Sequence, residues 1–181
     1  MQAFDEFVVN WAQNLHDGFL DTLMTIVTYI GYGWFVIPII YFLARRRWSA
    51  AIMAVSALAL GFLCGNVFLK NIVGRPRPFA EMGFDIIISP PHDAFSFPSC
   101  HALHSFAAAT VLAYQTRKTM PGVAWAGFAL ATAIAFSRLY LGVHYLTDIV
   151  AGAAIGVIVA IVCIYTVNAF SRKSPRQGNK A

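Results

Sequence analysis

Apolar residues run along this chain in blocks long enough to matter. A helix needs about 20 apolar residues to cross a bilayer. Thr22–Ala44, Ser49–Leu69 and Ile149–Phe170 meet that length cleanly. Ala102–Thr116 and Gly122–Phe136 are shorter and need polar extensions at their ends to cross. The pattern therefore predicts five transmembrane helices. The opening MQAFDEFVVNWAQNLHDG is too charged to span. At helical spacing its Phe4, Phe7, Val8, Trp11 and Leu15 share one face, which predicts a helix lying in the membrane interface over residues 1–18. No basic region precedes the first apolar block, so a cleaved signal peptide is not expected. Residues 19–170 form the expected transmembrane domain, and the polar tail 171–181 is expected to be disordered and cytoplasmic.

The composition agrees. Of 181 residues, 59% are hydrophobic and only 12% charged, where soluble domains carry about 25% charged residues. The expected fold class is all-α and integral to the membrane. The net charge of +5 raises nucleic acid as a partner, but no basic stripe with interleaved aromatics accompanies it. The cations fall between apolar blocks instead. With five crossings, nine of the 13 Lys and Arg residues lie on one side: Arg45–Arg47, Arg117, Lys118 and the C-terminal tail. All eight acids lie on the other. The positive-inside rule makes the first side cytoplasmic, so the acidic side faces the periplasm or exterior of a bacterial plasma membrane. Cys64, Cys100 and Cys163 match no disulfide or metal spacing and behave as small hydrophobes. Gly61-x-x-x-Gly65 and Gly152-x-x-x-Gly156 allow close helix approach and are expected to pack within the bundle.

The acidic side also collects three polar clusters. KNIVGRPRP carries Lys70, Arg75 and Arg77, FPSCHALH carries Ser99, His101 and His104, and SRLYLGVHYLTD carries Arg138, His144 and Asp148. Ionisable groups near a bilayer are costly, so such a concentration points to function. A phosphoryl group spreads negative charge over several oxygens, which Arg can grip bidentately and Lys can meet as a point charge. Ser99 and the backbone N–H groups at a helix start can add donors. His144 and Asp148 are four residues apart and share a helix face. A carboxylate holding one imidazole nitrogen leaves the other free to attack phosphorus. His101 can protonate the departing oxygen. This set suffices for displacement at phosphorus through a phosphohistidine. It lacks the carboxylate cluster that magnesium would want, so neither metal nor other cofactor is expected. His16, His92 and His104 are read as structural. Arg75 is open between phosphate, lipid headgroup and solvent. A cysteine-phosphatase reading of Cys100 would want an Arg six residues on, where Phe106 stands.

The three clusters resemble the motifs of the type 2 phosphatidic acid phosphatases, relatives of the vanadium haloperoxidases. KxxxxxxRP is matched by Lys70, Arg77 and Pro78. PSGH is matched by Pro98, Ser99, Cys100 and His101. SRxxxxxHxxxD is matched by Ser137, Arg138, His144 and Asp148. The resemblance covers roughly Ser49 to Phe170. It implies His144 as nucleophile, Asp148 as its orienting partner and His101 as acid. It implies Lys70, Arg77, Ser99 and Arg138 as phosphate ligands. Cys100 departs from the family's Gly, and five crossings depart from the six of many members. The expected activity is a metal-independent lipid phosphatase with the bilayer and a lipid phosphate as partners. Undecaprenyl diphosphate is favoured over phosphatidylglycerol phosphate, phosphatidic acid and the phosphate of lipid A, because the site faces outward. A non-catalytic protein binding anionic lipid headgroups would need the cations but not the His144/Asp148 pair. Vanadate-dependent peroxidase chemistry fits a membrane-spanning chain poorly. The loop GFDIIISPPHDAF is expected to shape the entrance. The oligomeric state is open.

Overall fold

The computed structural model describes residues 2–173, the side chain of Lys173 excepted. The expectation for the tail 171–181 therefore lies almost entirely outside the described residues. The fold is all-helical; among the described residues the sole β-type pairing is one antiparallel bridge between Pro76 and Phe95. The helices are α1 (Gln2–Gln13), α2 (Gly18–Ile30), α3 (Val36–Ala44), α4 (Trp48–Phe62), α5 (Lys70–Val73), α6 (Pro78–Met82), α7 (Cys100–Thr116), α8 (Pro121–Tyr140) and α9 (Leu146–Lys173). A π-helical stretch, Leu63–Leu69, joins α4 to α5, giving one continuous rod over Trp48–Val73.

Three helices among the described residues are long and apolar enough to cross a membrane: Trp48–Val73, Pro121–Tyr140 and Leu146–Arg172. The two shorter apolar blocks gain polar extensions, Cys100 and His101 on α7 and Ser137–Tyr140 on α8. The first block differs from expectation. Thr22–Ala44 reads as one uninterrupted span, but the chain leaves the helix at Gly31–Phe35 and resumes as α3. Gly31 and Gly33 weaken the helix there by removing side-chain restraint on the backbone. Gly31 also packs tightly on the bundle, since a Cβ there would lie 2.7 Å from Ile134 Cγ2 and 3.0 Å from His101 Cδ2.

α7 is the central helix. Its Ala107, Ala108 and Ala109 are buried with Ala50, Ala54 and Ala57 of α4 and Ala131 of α8. Small residues let helices approach where lipid supplies no hydrophobic drive. The glycine pairs serve the same end. A Cβ on Gly152 would strike the Ser99 carbonyl and one on Gly156 the Leu103 carbonyl, so α9 lies backbone to backbone on α7. Gly61 and Gly65 receive the Leu103 side chain from the other side. Large apolar groups such as Ile72, Trp125 and Tyr165 point outward, as a lipid-facing surface requires. α1 packs on the bundle through Asp5, Val9 and Ala12, leaving Phe4, Phe7 and Trp11 exposed.

Candidate active site

Three chain reversals at one end of the bundle build the site. The rod Trp48–Val73 stops where Gly74 adopts φ 59°, a left-handed cap natural to glycine. The stop comes before Pro76 and Pro78, which then fix the extended turn carrying Arg77. Ser99 caps α7 with an extended backbone (φ −70°, ψ 109°). α8 ends at Tyr140, Gly142 turns the chain at φ 65°, and α9 begins at Leu146. A hydrogen bond from Ser99 N to the Asp148 carbonyl (3.0 Å) ties the second reversal to the third. One from Arg77 Nη1 to the Val143 carbonyl (2.8 Å) ties the first to the third.

These reversals open on a cavity of about 600 Å³. Lys70, Arg77, His101, Arg138 and His144 line it together with Cys100. Ser99 and Asp148 stand behind the wall, fully buried. All seven residues singled out in the sequence thus gather at one place. His144 points Nε2 toward the cations, 3.4 Å from Arg77 Nη1. Its Nδ1 faces Asp148 Oδ2 at 3.8 Å, beyond hydrogen-bond length. Asp148 Oδ2 is instead held by the backbone N–H of Tyr145 (2.9 Å). Catalytic hydrogen bonds are commonly long in unliganded sites and tighten with substrate.

Four atoms of these residues are buried with no hydrogen-bond partner among the described residues: Ser99 Oγ, His101 Nε2, Arg138 Nε and His144 Nδ1. Buried polar groups are nearly always satisfied, so each exception needs a reason. Their concentration around one cavity fits a site shaped for a polar guest. The one other such atom among the described residues, Asn66 Oδ1, belongs to a residue on the same cavity wall.

Several participants escape a sequence reading. Thr28 Oγ1 accepts from Arg138 Nη1 (2.6 Å), and the Tyr32 ring meets His101 edge-on at 4.6 Å. Both come from the broken first span, and the signal was Gly-Tyr-Gly inside an apolar run. Asp93, in the loop after α6, is paired with Lys70 Nζ (2.7 Å) and with Arg77 Nη2. Burial alone would raise the pKa of Asp93. The hydrogen bonds from Lys70 and Arg77 outweigh that effect and hold it below the usual 3.8. Arg75 turns away from the cavity to join Asp5 and Asp148. His16 is structural, stacked 4.3 Å from Tyr140 and paired with Asp21. His92 and His104, also read as structural, line the cavity.

Residues 48–172 match the family model described as the PAP2 superfamily. The chain belongs to that superfamily. Phosphatidylglycerophosphatase B of Bacillus subtilis is 28% identical over 191 residues, spanning 97% of this chain and 87% of the relative. Lipid A 4'-phosphatase of Bacteroides thetaiotaomicron is 37% identical over 130 residues, 65% of this chain and 56% of its own length. The crystal structure of a transmembrane PAP2-type phosphatidylglycerolphosphate phosphatase from Bacillus subtilis superposes with a TM-score of 0.75 at 27% identity, covering 98% of this chain and 89% of that one. This PAP2 chain is an integral membrane phosphatase.

Proposed function

We propose that this PAP2 protein removes phosphate from a membrane lipid through a phosphohistidine on His144, at the extracytoplasmic face of a bacterial plasma membrane. One observation carries the proposal: Lys70, Arg77 and Arg138 line the same cavity as His101 and His144, and the aromatic residues Tyr29, Tyr32, Phe35 and Phe62 belong to its wall. A cationic pocket with an apolar flank suits a phosphate joined to a hydrocarbon chain.

The chemistry runs in two displacements. His144 Nε2 attacks phosphorus, the P–O bond to the lipid breaks, and His101 gives a proton to the departing oxygen. Water then attacks the phosphohistidine and delivers its proton to His101, and inorganic phosphate leaves. Lys70, Arg77, Arg138 and Ser99 stabilise the charge spread over the equatorial oxygens. Asp148 steadies the imidazole while it carries positive charge. The cations supply the neutralisation that a metal would otherwise provide.

An outward-facing site favours undecaprenyl diphosphate as substrate, since that product of envelope synthesis is released on the outer face. The near full-length similarity to a phosphatidylglycerophosphatase supports phosphatidylglycerol phosphate as a second reading. Phosphate release from the purified protein should be compared across undecaprenyl diphosphate, phosphatidylglycerol phosphate, phosphatidic acid and lipid A, with and without EDTA. Turnover of at least one lipid, insensitive to EDTA, is expected. Silence on every lipid phosphate, or activity restored only by a divalent metal, would remove the reading.

A further inference from the structure

Arg75 and Asp5 form a connection that phosphate binding does not use. Asp5 lies on α1, yet its side chain is completely buried. A buried carboxylate on an otherwise apolar contact face is expensive unless paired. Its Oδ2 accepts from Arg75 Nη2 (2.8 Å), and its Oδ1 accepts from Thr147 N (3.1 Å). Arg75 Nη1 donates to Asp148 Oδ1 (2.8 Å) and to Thr147 Oγ1 (2.8 Å). The Arg75 guanidinium also lies 3.8 Å from the Tyr145 ring centroid. The chain Asp5–Arg75–Asp148 thus runs from the N-terminal helix to the carboxylate facing His144.

The charges explain why three groups are needed. Asp148 serves His144 only if it is fixed in direction and negative. Arg75 fixes it by taking Oδ1, which leaves Oδ2 to the Tyr145 N–H and to His144. An Arg–Asp pair alone is neutral, and a neutral pair gives an imidazolium little support. Asp5 restores one net negative charge to the group. His144 is otherwise faced by the cation Arg77 at 3.4 Å, with Lys70 and Arg138 on the same cavity. Across the cavity Asp93 answers Lys70 and Arg77, so on the Asp148 side of the imidazole the balance turns on Asp5.

We infer that Asp5 is a positioning residue for catalysis, acting through Arg75 on Asp148, so that the N-terminal helix is part of the active site. The inference rests on the reading of His144 as nucleophile.

The test uses full-length protein purified in detergent, with kcat and KM measured on the best lipid of the panel. Asp5→Asn should lower kcat by about 10–100-fold, the scale typical for losing a group that orients an essential ligand, and leave KM within about twofold, the mark of an interaction made in the transition state. Asp5→Glu keeps the charge and should recover much of the loss. Asp5→Asn/Arg75→Gln removes both charges, returns the net −1 to Asp148, and should turn over faster than Asp5→Asn although it is no more stable to heat. A merely structural Asp5 would lose kcat only in proportion to folded protein, and the double variant would be the worst. Parental turnover in Asp5→Asn, alongside an inactive His144→Ala, would overturn the inference alone. Full activity in His144→Ala would overturn the nucleophile reading and the inference with it.

Discussion

Lys70 Nζ lies 2.7 Å from Asp93 Oδ2, so a carboxylate from the loop after α6 sits on the cations proposed to hold phosphate. Arg77 binds the same side chain and, through Nε, the Asp93 carbonyl (3.1 Å). Substrate phosphate and Asp93 then compete for one cradle. An internal competitor lowers apparent affinity by the fraction of molecules left open, so Asp93→Asn should lower KM for lipid and Ki for inorganic phosphate by about 3–10-fold. Steady-state kinetics with phosphate as inhibitor reads both. A higher KM in Asp93→Asn would instead make Asp93 an organiser of the cradle.

The same pairing has a pH signature. Lys70 and Arg77 hold the Asp93 pKa below 3.8. A group whose folded pKa is depressed adds stability above its unfolded pKa and loses it as pH falls through the folded value. The loop should therefore stay pinned from neutral pH down to the ordinary carboxylate range and loosen only below it. Hydrogen exchange across residues 85–95 should be constant between pH 7 and 5, after correction for the intrinsic rate. Loosening near pH 6 would show that another group sets the loop.

The two histidines should separate by substrate. His144→Ala removes the atom proposed to bond phosphorus and should stop turnover on every substrate. His101→Ala removes the proton for the leaving oxygen and the base for the attacking water, each a contribution of about 10²–10⁴-fold. An activated aryl phosphate leaves without that proton, so its first step, read as a burst of phenol, should slow far less than release of the alcohol from a lipid monoester. Quenched reactions of His101→Ala on the aryl ester should accumulate phosphohistidine. Activity in His144→Ala with none in His101→Ala on any substrate would reverse the assignment.

Orientation follows from where the acids fall. With Arg45–Arg47, Arg117 and Lys118 at the end opposite the site, a reporter active only in the cytoplasm should give signal when fused at the C-terminus. The same reporter placed after Phe84 should be silent. The opposite pattern would turn the protein over in the membrane.

Sequence alone made the α-helical class and the clustering of the seven candidate residues legible, because the period of apolar blocks and the spacing of ionisable groups are both written locally. Alternation of helices then delivers Lys70, Ser99 and His144 to one end without further information. What stayed hidden depends on long-range contact. Nothing local distinguishes Asp93 from a solvated loop acid until the loop folds back onto Lys70. Asp5 reads as the polar side of an interfacial helix until Arg75 meets it across 70 residues of chain. The break at Gly31–Phe35 was written in two glycines, but hydropathy averages over them.

The glycine contacts of α9 give the last prediction, which joins packing to the site. A Cβ on Gly156 would meet the Leu103 carbonyl and lie 3.1 Å from Ala107 N. Both are backbone atoms of the central helix, which cannot rotate aside as a side chain can. Alanine gains about 1 kcal/mol over glycine in helix propensity, whereas overpacking typically costs about 1–3 kcal/mol. With backbone as the obstacle, the cost should prevail. Gly156→Ala should lower the Tm in detergent by several degrees. Gly152→Ala meets the Ser99 carbonyl instead, one turn nearer the site. Ser99 N is bonded to the Asp148 carbonyl, so pushing α7 from α9 there shifts the proposed phosphate donor and the proposed orienting carboxylate together. Gly152→Ala should therefore lose more activity than Gly156→Ala for a similar loss of Tm. Gly122, in the first turn of α8 with open space within 4 Å of where a Cβ would lie, is the control, and Gly122→Ala should lower neither quantity. Equal, undiminished Tm and turnover in all three variants would mean that the α7–α9 contact is looser than its backbone distances state.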